Sequence, residues 1–201
     1  MTTGFIYLAS ASPRRQALLE QIGVRFRTLV SGVTETQLAG ESPSTYAARL
    51  AADKADEVWA RVEHDEPAPV LAADTCVVVD DEICGKPADE TDALAMLARL
   101  SGRVHRVLTA VALRWQATRE VEVVSSEVRF RPTTEAERIA YCRSGEPWDK
   151  AGAYAIQGRG SVFVEHLEGS YSAVMGLPLC ETANLLNRFG IPDWLAAAPE
   201  G

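Results

Sequence analysis

Four cations and two carboxylates in this chain sit in local settings where chemistry is conceivable. The cations are Arg14, Arg15, Lys54 and Lys86, and the carboxylates are Glu35 and Asp74. The two arginines fall in the stretch LASASPRRQALL, where Ser12 suits an N-cap and Pro13 the first helical position. A cation in a first helical turn opposes the macrodipole at about 0.3–1 kcal/mol. Either two solvated arginines tolerate that cost, or an external anion occupies the helix N-terminus beside them.

Asp74 interrupts the apolar run 70–79, in PVLAADTCVVVDDEICGKP. A carboxylate on a buried strand must meet a cation, a metal or several hydrogen bonds. It is either a structural Asp that accepts backbone N–H bonds or a metal ligand or general base on a cleft floor. Lys54 shares the apolar stripe of Ala47, Leu50, Ala51, Ala55, Val58 and Val62. It either snorkels to water or points along the core edge into a cleft. Lys86, between Gly85 and Pro87, is aimed by its neighbours or is an ordinary surface lysine. Glu35, in a polar loop, is by itself a solvated carboxylate. Together the six suit a polyphosphate carried with a divalent metal, the cations facing phosphate oxygens and the carboxylates holding the metal and a water.

The elements that must position them alternate. Strands are expected over 5–9, 70–79, near 83, and over 104–115, 120–130 and 161–167. Helices are expected from Pro13 to Ile22, over 44–62, 91–100 and 179–188, and from a capping box at Thr134 and Glu137 to Cys142. Gly145 to Gly176 is glycine-rich. Strands mixed with helices and joined by short links imply an α/β fold with a mixed sheet and flanking helices. No clean linker appears, so a second lobe would be built from the middle of the chain.

Composition narrows the function further. The chain has 201 residues, is 47% apolar and 24% charged, and carries a formal net charge of −8. That charge argues against a surface that coats a nucleic-acid polymer. No run approaches the ~18 apolar residues of a membrane span, and the N-terminus lacks the layout of a signal peptide, so a cytoplasmic location is expected. Cys76, Cys84, Cys142 and Cys180 show no C-x-x-C pair and are expected to be buried free thiols. His64, His105 and His166 are scattered. There is no G-x-x-x-x-G-K-[ST], no G-x-S-x-G and no glutamate-dense Nudix-type helix, and Gly158-Arg159-Gly160 lacks the third glycine of a dinucleotide fingerprint.

Along nearly its whole length the chain resembles the Maf family of nucleoside triphosphate pyrophosphatases. The segments that carry the resemblance come in order: LASASPRRQALL, RLAADKA, LAADTCVVVDDEICGKP, LSGRVHRVLTAVAL, SGEPWDKAGAYAIQG and GSYSAVMGLPL. The resemblance implies a single Maf-like domain over 1–201, made of two lobes around a central cleft as in ITPase-like proteins, with a peripheral tail at 191–201. It implies cleavage between the α and β phosphates, with a divalent metal, Mg²⁺ or alternatively Mn²⁺, and a homodimer.

By the same resemblance Asp74 is the catalytic carboxylate. Ser10, Arg14, Arg15, Lys54 and Lys86 contact the phosphates, and Asp74 and Glu35 hold the metal. Many members carry two adjacent acids in the early loop, whereas Thr34 precedes Glu35 here. The branch acting on dTTP and UTP carries the Arg, Thr and Gln found at Arg14, Thr75 and Gln157. A Gln amide matches the O4 and N3–H edge of uracil or thymine. The implied activity is a house-cleaning dTTP/UTP pyrophosphatase, with modified pyrimidine nucleotides as a further substrate class. The alternatives are a 7-methyl-GTP pyrophosphatase and a nucleotide-binding regulator of septum formation without turnover.

Overall fold

The computed structural model describes residues 4–191. In chain order the elements are β1 (Ile6–Leu8), α1 (Pro13–Gln21), β2 (Phe26–Thr28), α2 (Pro43–Val62), β3 (Val70–Val79), β4 (Glu82–Cys84), α3 (Glu90–Leu100), β5 (Val104–Trp115), β6 (Thr118–Phe130), α4 (Glu135–Cys142), β7 (Val164–Glu168), α5 (Tyr171–Met175) and α6 (Leu179–Arg188). The strands run in the order β2-β1-β3-β5-β6-β7, with β4 paired to β3 off that path. β1 is parallel to β2 and β3, whereas β4 and β7 are antiparallel to β3 and β6, which makes the sheet mixed.

The chain divides into two compact units. One comprises the described residues up to Asp74, Thr109–Val123 and those from Gly176 onward; the other comprises Thr75–Leu108 and Val124–Met175. β3, β5 and β6 therefore each supply residues to both. The expected tail lies, from residue 192 on, outside the described residues.

In the first unit α2 is the organising element. Ser42 caps it by accepting the Thr45 N–H at 3.2 Å, and Pro43 takes the first turn. Ala47, Leu50, Ala51, Ala55, Val58 and Val62 are buried at three- and four-residue spacing, as the periodicity predicts. Fully burying a Leu or Val of this stripe contributes about 1.5–3 kcal/mol. Trp59 packs edge-on against Trp115 at 5.4 Å between ring centroids.

The opposite margin of α2 holds the long segment after β2. Arg61 Nη1 donates to the Val30 carbonyl at 3.0 Å, and Arg49 Nη2 to that of Thr36 at 3.0 Å. Arg49 also forms a two-pronged pair with Glu41, at 2.6 and 2.7 Å, and that hydrogen bonding draws the Glu41 carboxyl down to about 2.

The second unit has its own core, in which Val77, Val79, Leu97, Leu100, Val107, Val128, Phe130, Tyr141, Tyr154 and Phe163 cluster. Asp80 and Asp81 form the turn between β3 and β4, with φ of 53° and 60°. Asp tolerates this left-handed region, and Arg103 and Arg106 pair with the two carboxylates. The capping box at Thr134 and Glu137 is present.

Several expectations shift. β2 and α5, of three and five residues, were not foreseen. α3 begins at Glu90 because Asp89 is the cap. The strand expected over 161–167 begins only at Val164, after a 3₁₀ turn at Arg159–Phe163. Cys76, Cys84 and Cys142 are buried, and burial pushes the Cys84 and Cys142 thiols up, but Cys180 is exposed. No helix among the described residues is long and apolar enough to cross a membrane.

His105 lies inside the second core, 2% exposed, with Nε2 2.8 Å from the Tyr154 hydroxyl and its ring edge-on to Phe130. Burial pushes it from an ordinary 6.5 to about 4. In the unfolded chain the imidazole takes up a proton near 6.5 that the folded protein excludes. Its contribution to stability is therefore complete above about pH 6.5 and is lost as the pH falls toward 4. Urea unfolding between pH 7 and 4 is expected to show a loss on the order of 3 kcal/mol in the native protein that is missing from His105→Gln. Parallel pH profiles for the two proteins would contradict it.

Candidate active site

Asp74 and Lys54 meet in the first unit. Asp74 is 6% exposed on β3 and Lys54 is 7% exposed in the middle of α2. Lys54 Nζ donates to Asp74 Oδ1 at 2.7 Å and to Glu35 Oε1 at 2.6 Å. Lys54 thus does not snorkel to water. Its amine, midway along the apolar stripe, bridges two acids that lie 39 residues apart in sequence. An ammonium offers three donors, and two are engaged here. Asp74 is accordingly not held through backbone N–H groups alone, since the buried Lys54 cation bonds it directly.

Glu35 is placed by the segment fastened to α2. The Tyr46 hydroxyl donates to the Glu35 carbonyl at 3.4 Å, and the Arg49–Thr36 bond follows one residue later. The Glu35 carboxylate remains 41% exposed, so one face of the triad is open to solvent.

The N-terminal loop behaves differently from its local reading. Ser12 occupies the cap position of α1, but its side chain makes no capping bond. Instead Ser10, which is 7% exposed, turns inward and accepts the Ser12 N–H at 3.2 Å. Ser10 Oγ also accepts from Arg15 Nη1 at 3.1 Å, while Arg15 Nε donates to the Gly176 carbonyl at 2.7 Å. Gly176, 161 residues away, is the participant that local reading misses. The only signal for it was its place in GSYSAVMGLPL.

Burial pushes the Arg15 guanidinium below its ordinary value, and the charge of Arg14 adds to that, while Asp74 and Glu35 draw it back up. The two arginines and the two acids therefore share one electrostatic neighbourhood. Arg14 is half-buried in the first turn of α1, where no acidic residue is present to meet the dipole.

The remaining candidates belong to the second unit. Thr75 is half-buried on β3 directly after Asp74, and Lys86 is exposed between β4 and α3. The Gly85 carbonyl beside Lys86 accepts the Gly152 N–H at 3.0 Å. Gly152 has φ 68°, and a Cβ there would lie 2.9 Å from a Val77 methyl, so only glycine fits. Gln157 is exposed in a turn that the Gly158 N–H closes on the Ala155 carbonyl at 3.2 Å.

Among the described residues, no three His, Cys, Asp or Glu side chains are grouped to hold a metal. Two carboxylates that reach the same ammonium are nonetheless a hard-oxygen donor set close enough to share one cation. Mg²⁺ commonly takes one or two protein carboxylates, with waters and substrate phosphates completing its shell. The residues present fit that pattern.

Residues 5–189 match the family model described as Maf-like protein. A dTTP/UTP pyrophosphatase of Saccharophagus degradans is 49% identical over 96% of this chain and 93% of its own length. One from Bordetella avium is 50% identical over 92% and 96%. Among solved structures, the Staphylococcus aureus Ham1 protein covers 62% of this chain and 71% of its own, at 14% identity and a TM-score of 0.43, too weak a likeness to argue from.

Lys54→Met should destabilise the protein by about 3–5 kcal/mol, because Asp74 is then a buried charge without its counter-ion. Adding Asp74→Asn to that variant should restore part of the loss. Urea unfolding in chelator checks this, and equal stability of the single and double variants would show that Asp74 does not depend on Lys54.

Proposed function

We propose that this chain, which belongs to the Maf family, hydrolyses dTTP and UTP to the nucleoside monophosphate and diphosphate. The observation that carries the reading is the Lys54 ammonium shared by Asp74 and Glu35, in one electrostatic neighbourhood with Arg14 and Arg15. The names of relatives at about half identity over nearly the whole chain supply the substrate class.

Asp74 orients a water against the α-phosphorus and accepts its proton as the new P–O bond forms and the bond to the β-phosphate oxygen breaks. Lys54 directs that carboxylate through its hydrogen bond, and Glu35 balances the lysine charge. Arg14 and Arg15, with the Ser10 hydroxyl and the exposed N–H groups of α1, receive phosphate oxygens. Two of the Arg15 donors are already committed to Ser10 and Gly176, so its guanidinium is held in place before substrate arrives. The helix-start cations that local physics disfavours are thereby matched by anionic substrate.

Lys86 is assigned to the departing diphosphate, and Thr75 and Gln157, with Arg14, to recognition of the pyrimidine, all by their motifs. The Gln157 amide offers the donor and acceptor that uracil and thymine require. A divalent cation, Mg²⁺ or Mn²⁺, held by Asp74 and Glu35 would neutralise phosphate charge and polarise water. Modified pyrimidine nucleotides, a homodimer and a cytoplasmic location belong to the same reading.

Incubation with Mg²⁺ and, separately, dTTP, UTP, CTP, dATP, GTP and 7-methyl-GTP should give dTMP or UMP plus diphosphate and leave the purines intact. Asp74→Asn should lower that turnover by roughly 10²–10⁴-fold while remaining folded. Preference for 7-methyl-GTP would overturn the substrate assignment. Tight binding without turnover would move the protein to a regulatory role.

A further inference from the structure

The second unit contains a partly buried polar junction with no part in the chemistry above. Tyr141, near the end of α4 and 5% exposed, donates its hydroxyl proton to Glu146 Oε1 at 2.7 Å. The same hydroxyl oxygen accepts the Ala155 N–H at 3.1 Å. Glu146 Oε1 also accepts the Gly160 N–H at 3.0 Å, and Oε2 accepts the Arg159 N–H at 2.9 Å.

Ala155 enters the turn that carries Gln157, and Arg159 and Gly160 leave it. Both ends of the turn therefore hang from one Tyr–Glu pair, and Gln157 is left exposed at its tip. The fit is tight. A Cβ at Gly158 would fall inside the Glu146 carboxylate, and one at Gly160 would lie 2.8 Å from the Ala155 carbonyl oxygen and 2.9 Å from the Tyr141 hydroxyl. Ile156, inside the turn, is buried in the core of the unit, so the turn is anchored on its apolar side as well.

We infer that Glu146, supported by Tyr141, is a positioning residue for nucleobase selection, because it fixes the backbone on both sides of Gln157. This rests on the assignment of Gln157 to the pyrimidine edge. Discrimination between uracil and cytosine depends on where one amide's donor and acceptor stand. A site built for those hydrogen bonds rejects the wrong base because its own polar groups are then left unpaired. A loosened turn lets the amide follow either base and removes that penalty. Glu146 suits the task as a charged acceptor: burial pushes its carboxyl up, but the hydrogen bonds from Tyr141, Gly160 and Arg159 outweigh this and hold it below the usual range.

The test measures kcat/KM on UTP and on CTP for the full chain and for Glu146→Gln, Tyr141→Phe, Gln157→Ala and the Glu146→Gln/Gln157→Ala double variant, with thermal unfolding alongside. Glu146→Gln keeps the size but sets an amide against backbone N–H groups; Tyr141→Phe keeps the ring packed on Phe163. The UTP-to-CTP ratio is expected to fall roughly tenfold in both, through KM for UTP rather than kcat. The double variant should be no less selective than Gln157→Ala, since both changes remove one function.

A purely structural role would lower both activities together and leave the ratio in place, which would overturn the inference. A ratio lowered by Gln157→Ala but by neither Glu146→Gln nor Tyr141→Phe would overturn it alone. A ratio unmoved by Gln157→Ala would overturn it together with the assignment of Gln157. Should Glu146→Gln fail to fold, the ratio in Tyr141→Phe decides.

Discussion

A lysine amine buried beside an apolar helix stripe is costly unless carboxylates reach it, and Lys54 meets that requirement twice. This constraint organises the first unit. It requires α2 to lie against β3 with Lys54 level with Asp74, and it requires the segment after β2 to come back along α2 far enough to deliver Glu35. The bonds that fasten that segment, Arg61 to Val30 and Arg49 to Thr36 and Glu41, follow from the same need. Lys54, Asp74 and Glu35 are also the charges to which the proposed function assigns phosphate chemistry.

The second unit is governed by close backbone approach. Gly152, Gly158 and Gly160 stand where a methyl group would collide with Val77, Glu146, Ala155 or Tyr141. The half-buried Glu146 carboxylate takes the N–H groups of the chain leaving the Gln157 turn, where no strand ladder would satisfy them. The glycine-rich composition of 145–176 is thus a packing device. It lets the turn that carries Gln157 press against α4 and keep its polar backbone paired.

Elements with strong periodicity or capping signals were legible from residues alone. α2, α6, β3, β5 and the Thr134 box fall where the sequence places them, because their signals lie within a few residues of one another. β2 and α5 were not, since three to five residues hold too little pattern to stand out from a loop. Ser12 shows the limit of local chemistry. Its type and position suit a cap, yet Ser10 turns to Arg15, itself held by the distant Gly176 carbonyl, and the Ser12 N–H bonds to Ser10 instead.

The sequence by itself determined which charged residues were out of place: Asp74 in an apolar strand, Lys54 in an apolar helix stripe, and Arg14 and Arg15 at a helix start. Such anomalies are readable because the expected environment is set by neighbours one helical turn or one strand pleat away. The tertiary structure alone decided how each was compensated. It joined Lys54 to both Glu35 and Asp74, carried Arg15 to Gly176, and set Glu146 behind the turn of Gln157. Those partners lie from 13 to 161 residues away along the chain, and no local periodicity encodes which distant carboxylate or carbonyl the fold will bring into reach.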